Sequence, residues 1–284
     1  MFGYQPSARR RLIRIIARVL KGLLRLHGRS IWSNEVIQAL DPIAETKFGG
    51  ETLRFRTGNG RLLWGVQTFS SEEPLMMRWI ASMQSKDVVL DVGANAGLYS
   101  VAMARMVNRV YACELDPLNV GLIKENAFLN GVHDKVVILP FACGERDDVV
   151  DVHFRDLSAG DALQSLGRPQ QLQTRLGRHH HQSPIVVLSL DEFWKRMGLG
   201  RPTKIKIDVD GNEATVYKGI RSLCSTAREI YFEDSQTPEC AGVIIDLKAL
   251  GFVEVEQDAV CVSSSSPGAR GSPALNRLFR KYDS

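Results

Sequence analysis

The chain has 284 residues, 44% of them hydrophobic and 24% charged, with a formal net charge of +4. These proportions suit a soluble α/β domain with additions, and neither a membrane span nor a secretory signal is expected, because no apolar run reaches the ~18 residues a span needs and arginines interrupt the first apolar stretch. The charge is uneven: Arg9, Arg10, Arg11, Arg14, Arg18, Lys21, Arg25 and Arg29 precede the first acid, Glu35, so the remaining chain is acidic on balance, which argues against a broad nucleic-acid footprint.

Residues 8–29 predict a basic amphipathic helix, within an N-terminal region of residues 1–34. Leu12, Ile16, Val19, Leu20, Leu23 and Leu24 recur at helical spacing, with Arg11, Arg14, Arg18, Lys21 and Arg25 on the other side. Such a helix fits an anionic membrane surface, a face docked on the domain or on a partner, or an organelle transit peptide, although it is poor in Ser. Residues 35–86 lead into the core. Ile43–Phe48, Thr52–Arg56 and Arg61–Gln67 read as a β-meander turned at Gly49-Gly50 and Gly58-Asn59-Gly60. A helix follows, with Ser70 and Glu73 at capping-box spacing and Pro74 in its first turn.

From residue 87 strands and helices alternate, which implies a parallel sheet covered on both faces. The strands expected are Val88–Val92, Arg109–Glu114, Val136–Phe141, Val149–Phe154, Ile185–Leu190, Ile205–Asp208 and Glu229–Glu233. Helices are expected over Leu98–Val107, Pro117–Asn130, Glu213–Leu223 and Cys240–Leu250. Phe252–Val255 and Ala259–Val262 read as a final hairpin closing the domain at residue 262, with residues 263–284 a loose tail ending in a short basic helix over Leu275–Lys281. Residues 157–184 are long and polar, so a lid or a disordered insertion is expected there. His179-His180-His181 cannot all face one ion, and no metal site is expected at that run.

Cys113, Cys143, Cys224, Cys240 and Cys261 are odd in number and lack a C-x-x-C pair. They read as small buried residues in a reducing, cytoplasmic compartment.

Three stretches carry chemistry. In Val88–Gly97 a buried strand ends in Asp91, and a turn containing Gly93, Ala94, Asn95 and Gly97 opens a helix. Glycines let a ligand lie against the backbone, and the helix N-terminus offers N–H groups to a carboxylate. A dinucleotide site wants G-x-G-x-x-G, but Asn95 occupies the middle position and no Walker lysine follows. S-adenosyl-L-methionine, which has no phosphate, suits this turn, with Asp91 taking the ammonium directly or through water. Glu114 ends the next strand, placed to accept both ribose hydroxyls. Ala142 and Cys143 follow the third strand and by position flank an adenine. The third stretch is Lys204–Glu213. Asp208 and Asp210 lie beyond a strand's carboxyl end, with Glu233 on the neighbouring strand. They form a carboxylate cluster for the acceptor, as general base, substrate holder or Mg²⁺ site, or else cap a helix in a solvated turn.

These blocks, D-V-G-A-N-A-G-L-Y-S, C-E-L-D-P, L-S-L-D-E-F and K-I-D-V-D-G-N-E, resemble in that order the FkbM-type methyltransferases over residues 72–255. The resemblance implies a Rossmann-like class I α/β fold with a seven-stranded, mostly parallel sheet and an antiparallel last strand. It implies S-adenosyl-L-methionine as donor and O-methylation of a hydroxyl on a sugar, glycolipid or polyketide-like acceptor. By motif match Asp91, Gly93, Asn95, Gly97 and Glu114 hold the cofactor, and Asp208 and Glu213 fall on the acceptor side. The family commonly has Glu where this chain has Asp210. Residues 8–29 and 157–184 lie outside the resemblance. The catalytic set expected is Asp208, Glu233 and Glu213. The alternatives are a cofactor-binding protein without catalysis and a nucleotide-dependent oxidoreductase, against which the missing middle glycine counts. The acceptor is expected to be a small molecule or a glycan- or lipid-linked hydroxyl, with peripheral contact to an anionic membrane through residues 8–29 and no nucleic-acid partner.

Overall fold

The computed structural model describes residues 42–154, 158–160, 165–166, 181–259 and 274–282, together with residues 15, 16, 18, 19 and 22. Residues 1–42 and 43–284 form two units. In the first, residues 15, 16, 18, 19 and 22 are helical, and Ile15, Ile16 and Val19 are about half exposed. The rest of the predicted basic helix lies outside the described residues. No described helix is long and apolar enough to cross a membrane.

The second unit opens with β1 (Ile43–Phe48) and β2 (Glu51–Arg56), an antiparallel pair. Gly49 and Gly50 both take positive φ at the turn, 58° and 83°, which a tight right-twisted hairpin requires. The third strand of the expected meander is instead a helix, α1 (Gly60–Thr68). Leu62, Val66 and Phe69 are buried at helical spacing, and the Asn59 side chain accepts from the amides of Arg61 and Leu62, both at 3.0 Å. The expected Ser70–Glu73 capping box is not formed: α2 (Pro74–Ala81) begins at Pro74, and the Glu73 side chain makes no cap bond.

Then come β3 (Val88–Val92), α3 (Leu98–Met106), β4 (Arg109–Cys113), α4 (Pro117–Leu129) and β5 (Val136–Leu139). Gly131, at φ 64°, follows the end of α4. A smaller unit of chain follows: β6 (Ala142–Cys143), β7 (Asp148–Phe154), β8 (Ser165–Leu166) and β9 (His181–Leu188). These four strands form a second sheet in the order β6-β9-β7-β8. The described parts of the 157–184 insertion are therefore strand and turn, built on β7; its other residues lie outside the described set. The chain continues through α5 (Leu190–Met197), β10 (Lys204–Ile207), α6 (Glu213–Thr226), β11 (Glu229–Asp234), α7 (Pro238–Ala249), β12 (Val253–Ala259) and β13 (Leu275–Arg280).

The main sheet has seven strands in the order β12-β13-β11-β10-β3-β4-β5. β11, β10, β3, β4 and β5 run parallel; β13 is antiparallel to both neighbours. The segment expected as a loose basic helix is thus an interior strand, and the expected 252–262 hairpin does not form: β12 pairs with β13, and residues 260–262 lie outside the described set. The cause is tertiary. Arg277 pairs with Asp234 and Glu254 at 2.8 and 2.6 Å, and Arg280 with Glu229 at 2.8 Å, so neighbouring strands neutralise the basic side chains. Leu278 and Phe279, of opposite parity, are buried on opposite faces.

One core layer holds Trp79, Val89, Val101, Val110, Tyr231 and Leu278; the other holds Leu90, Val92, Ile205, Ile207, Ile220 and Phe232. Burial on both faces explains why these strands read as continuous apolar runs. The central strands all present their carboxyl ends to one edge, where ligands bind in open α/β sheets.

Candidate active site

The turn after β3 is held by its neighbours more than the sequence suggests. Gly93 takes φ 85°, and a Cβ there would lie 1.8 Å from the Asp208 carbonyl oxygen. Gly97 takes φ 79°, and its Cβ would press on Ile123 of α4 at 3.1–3.3 Å. Both glycines are therefore demanded by protein packing, whereas the sequence reading had reserved their open face for a ligand. Asn95 also sits at positive φ, 49°, where Asn is tolerated better than most residues. Its side chain accepts from the Ala96 amide at 2.7 Å. Asn126 ties the turn to β2, donating to the Ala96 carbonyl and accepting from the Arg56 amide.

Asp91 is fully buried and does not line the cavity. Ser100 donates to one of its oxygens, and Lys206 pairs with the other at 3.1 Å. Sheet register causes this: Asp91 and Lys206 are Cα partners across β3 and β10. Lys206 also pairs with Asp208 at 3.1 Å and donates to the Gly93 carbonyl at 3.2 Å. Burial acts to discharge Lys206, but Asp208 and Asp91 outweigh it and hold the ammonium above its ordinary pKa. A direct Asp91 contact with a ligand ammonium, as the sequence suggested, is replaced by this buried pair.

Glu114 lies just beyond β4 and faces the cavity, nearly buried. Its oxygens accept from the amides of Asn95 and Asp116, each at 2.8 Å, with Asn119 at 3.5 Å. Burial raises its pKa to about 7 against those hydrogen bonds. A carboxylate has about four acceptor positions, so two short bonds leave capacity for a diol.

These groups line one cavity of about 400 Å³. Gly93, Ala94, Asn95, Glu114, Phe141, Ala142 and Cys143 face it on the β3–β5 side; Asp208, Asp210 and Glu233 face it from β10 and β11. Gly97 and Glu213 do not. Glu213 is wholly buried, accepts from the Gly211 amide at 2.6 Å and Ser235 at 2.8 Å, and so fixes the turn that carries Asp208 and Asp210. Its expected place among residues facing the acceptor is corrected to a supporting one. Asp210 takes φ 54°, a left-handed conformation Asp tolerates. Glu233 is pushed well above the ordinary carboxylate range, first by burial and then by Asp208, Asp210 and Glu213, and it hydrogen-bonds Asp208. Among the described residues no group of His, Cys, Asp and Glu could hold a metal ion.

Sequence reasoning missed the far wall: Arg61, Trp64, Glu72, Glu73, Tyr99 and Lys206. Lys206 had a legible signal, since a lysine inside an apolar strand needs a buried partner. The others sit on α1, just before α2, or on α3, and no local pattern assigns them to a site more than 100 residues from Asp208.

This sheet order, with a nucleoside-sized cavity at the carboxyl ends of the central strands, is that of a class I methyltransferase, a class whose methyl donor is S-adenosylmethionine. The chain belongs to the FkbM family: the family profile described as Methyltransferase FkbM domain matches residues 91–254. It is 31% identical over 86 residues to tRNA (guanine(37)-N(1))-methyltransferase 2 of Arabidopsis thaliana, covering 30% of this chain and 13% of that protein. It is 22% identical over 190 residues to hexuronic acid methyltransferase AglP of Haloferax volcanii, covering 65% of this chain and 71% of that one. The crystal structure of methyltransferase FkbM from Methylobacillus flagellatus KT is similar with a TM-score of 0.46 and 14% identity, covering 69% of this chain and 44% of that chain. The chain thus spans less than two thirds of the length of the first and third of these proteins.

Proposed function

We propose that this chain transfers the methyl group of S-adenosylmethionine to a hydroxyl of a sugar, glycolipid or polyketide-like acceptor. The observation that carries this reading is the single cavity shared by Glu114 and the Gly93–Ala96 turn on one side and by Asp208 and Glu233 on the other. The likeness to a hexuronic acid methyltransferase supports a saccharide among these classes.

Glu114 would accept the ribose hydroxyls, and Phe141, Ala142 and Cys143 would flank the adenine. Ala94 and Asn95 border the cavity with Lys206, their amides already donating to the Cys113 carbonyl and to Glu114. The cofactor supplies an activated methyl group; the chain supplies position. Holding two reactants in attack geometry is worth roughly 7–11 kcal/mol, against about 3–5 kcal/mol for a general base. Asp208, paired with Lys206, would accept a hydrogen bond from the acceptor hydroxyl and orient it, and Glu233 would in turn hold Asp208.

The test is calorimetry with S-adenosylhomocysteine, followed by transfer of labelled methyl from S-adenosylmethionine to a panel of neutral, amino and acidic glycosides. Heat with the nucleoside and label in a glycoside are expected. Glu114→Ala is expected to weaken the nucleoside about 10- to 100-fold, from the loss of one or two charge-assisted bonds. No heat with the wild-type chain ends the cofactor assignment; heat without label in any hydroxylated acceptor ends the O-methylation.

We further propose that residues 8–29 bring the enzyme to lipid-linked acceptors at an anionic membrane. The half-exposed Ile15, Ile16 and Val19 beside Arg14 and Arg18 support it. Sedimentation with phosphatidylserine vesicles is expected for the full chain and lost without residues 1–30; equal sedimentation of both rejects it.

A further inference from the structure

Glu73 breaks a local rule. It holds the N-cap position of α2, where a side chain ordinarily accepts from the first helical amides, yet it makes no such bond. Its carboxylate turns into the active-site cavity instead. There Tyr231 of β11 donates to Oε2 at 3.3 Å and Asn276 of β13 at 3.4 Å, and Tyr99 of α3 lines the same cavity. Two strands thus hold one carboxylate at the chamber that also holds Asp208 and Glu233. A side chain that forgoes its local partner for a convergent, cavity-facing set points to function.

Three other carboxylates of the cavity, Asp208, Glu233 and Glu114, are committed. Asp208 is paired with Lys206 and bonded by Glu233. Glu114 holds two backbone amides on the far side of β3. We infer that Glu73 is the general base of the methyl transfer, taking the proton of the acceptor hydroxyl as its oxygen bonds to the methyl carbon. The inference rests on the function proposed above. In that step the O–CH₃ bond forms, the S–CH₃ bond breaks with its electron pair left on sulfur, and the hydroxyl proton moves to the Glu73 carboxylate. Sulfonium becomes neutral thioether and Glu73 becomes neutral acid, so charge and atoms balance.

The groups facing Glu73 are Asp208 and Lys206 from β10, Glu72 beside it, Tyr231 from β11, Tyr99 from α3 and the neutral Asn276 from β13. Burial and the Asp208 charge raise its pKa to about 7, with Lys206 opposing, which matches a base to neutral solution.

The test needs no acceptor. S-adenosylmethionine carries a sulfonium and S-adenosylhomocysteine does not, and a cation beside a carboxylic acid expels its proton. Calorimetry at pH 7 in buffers of different ionisation enthalpy counts the protons released by each ligand. The methionine form is expected to release up to about half a proton more than the homocysteine form, since a group with pKa near 7 is half protonated there. The excess should vanish at pH 9, be absent in Glu73→Gln and persist in Glu233→Gln. Equal proton release by the two ligands at every pH from 4 to 9 overturns the inference, as does an excess that survives in Glu73→Gln or disappears in Glu233→Gln. The last outcome assigns the proton to the Asp208–Glu233 pair and needs no Glu73 variant that folds. No heat with either ligand instead overturns the cofactor reading beneath it. With a glycoside found by the labelled-methyl panel, Glu73→Gln should lower kcat by about 10²–10⁴-fold with nucleoside affinity within threefold; an unchanged kcat also overturns it.

Discussion

Gly93→Ala is expected to abolish S-adenosylhomocysteine binding and to destabilise the chain by roughly 2–5 kcal/mol, from a left-handed backbone on a residue with Cβ and an overpacked contact. The added Cβ would lie 1.8 Å from the Asp208 carbonyl oxygen, against strand-end backbone that cannot rotate away. Relief requires β3 and β10 to part at their carboxyl ends, and that separation dismantles both walls of the cavity together. Gly131→Ala is the control. It shares a positive φ, 64°, but a Cβ there meets nothing within 4 Å, so only the backbone cost of about 1–2 kcal/mol remains and binding is retained. Urea unfolding and calorimetry on both variants check this. Equal stability loss at the two positions would show that the contact with Asp208 carries no weight.

The second large effect is at Lys206. Lys206→Met is expected to cost about 3–5 kcal/mol at pH 7, the range for removing one partner of a buried ion pair. Asp91 is left fully buried with Ser100 as its remaining side-chain partner, and Asp208 loses its counter-charge. The deficit should narrow as pH falls, because a stranded carboxylate is relieved by taking up a proton. Lys206→Met with Asp91→Asn should recover much of the loss, since the pair is removed together. Unfolding free energies from pH 4 to 8 for the two variants decide this. A deficit that does not change with pH would mean that packing, not charge, is what Lys206 supplies.

Both effects live on the link between packing and function. Asp91, Lys206 and Asp208 form a charged seam that reaches the cavity through Lys206 and Asp208, and the Gly93 carbonyl is bonded to the same ammonium. The Gly93–Gly97 turn and Asp208 therefore share one set of supports. The Gly93→Ala and Lys206→Met variants should consequently weaken nucleoside binding and acceptor turnover together, whereas Glu114→Ala should act on the first and Glu73→Gln on the second.

Much of the core was legible because its signals are local. Val88–Val92, the turn residues Gly93, Asn95 and Gly97, and Glu114 at the next strand end lie within a short stretch, where period, glycine and an acidic terminus agree. The parallel sheet followed from strand–helix alternation, because apolar runs buried on both faces read the same in any register. Three misreadings share a cause. Arg61–Gln67 looked extended until the Asn59 cap and the burial of Leu62, Val66 and Phe69 made it a helix. Leu275–Lys281 looked like a basic helix until Asp234, Glu254 and Glu229 accepted its arginines across the sheet. Ser70 and Glu73 looked like a capping box until Tyr231 and Asn276 drew the glutamate into the cavity.

By itself, then, the amino-acid order determined the class of sheet, the glycine turn after its first strand and the carboxylates at its strand ends, because each is written in neighbouring residues. Only the tertiary structure decided which charges face the ligand and which serve the fold. That choice depends on strand register and on contacts between residues more than 100 positions apart: Asp91 opposite Lys206, and Glu73 beneath Tyr231. A buried charge takes whatever partner the fold brings within reach, and local sequence does not carry that distance.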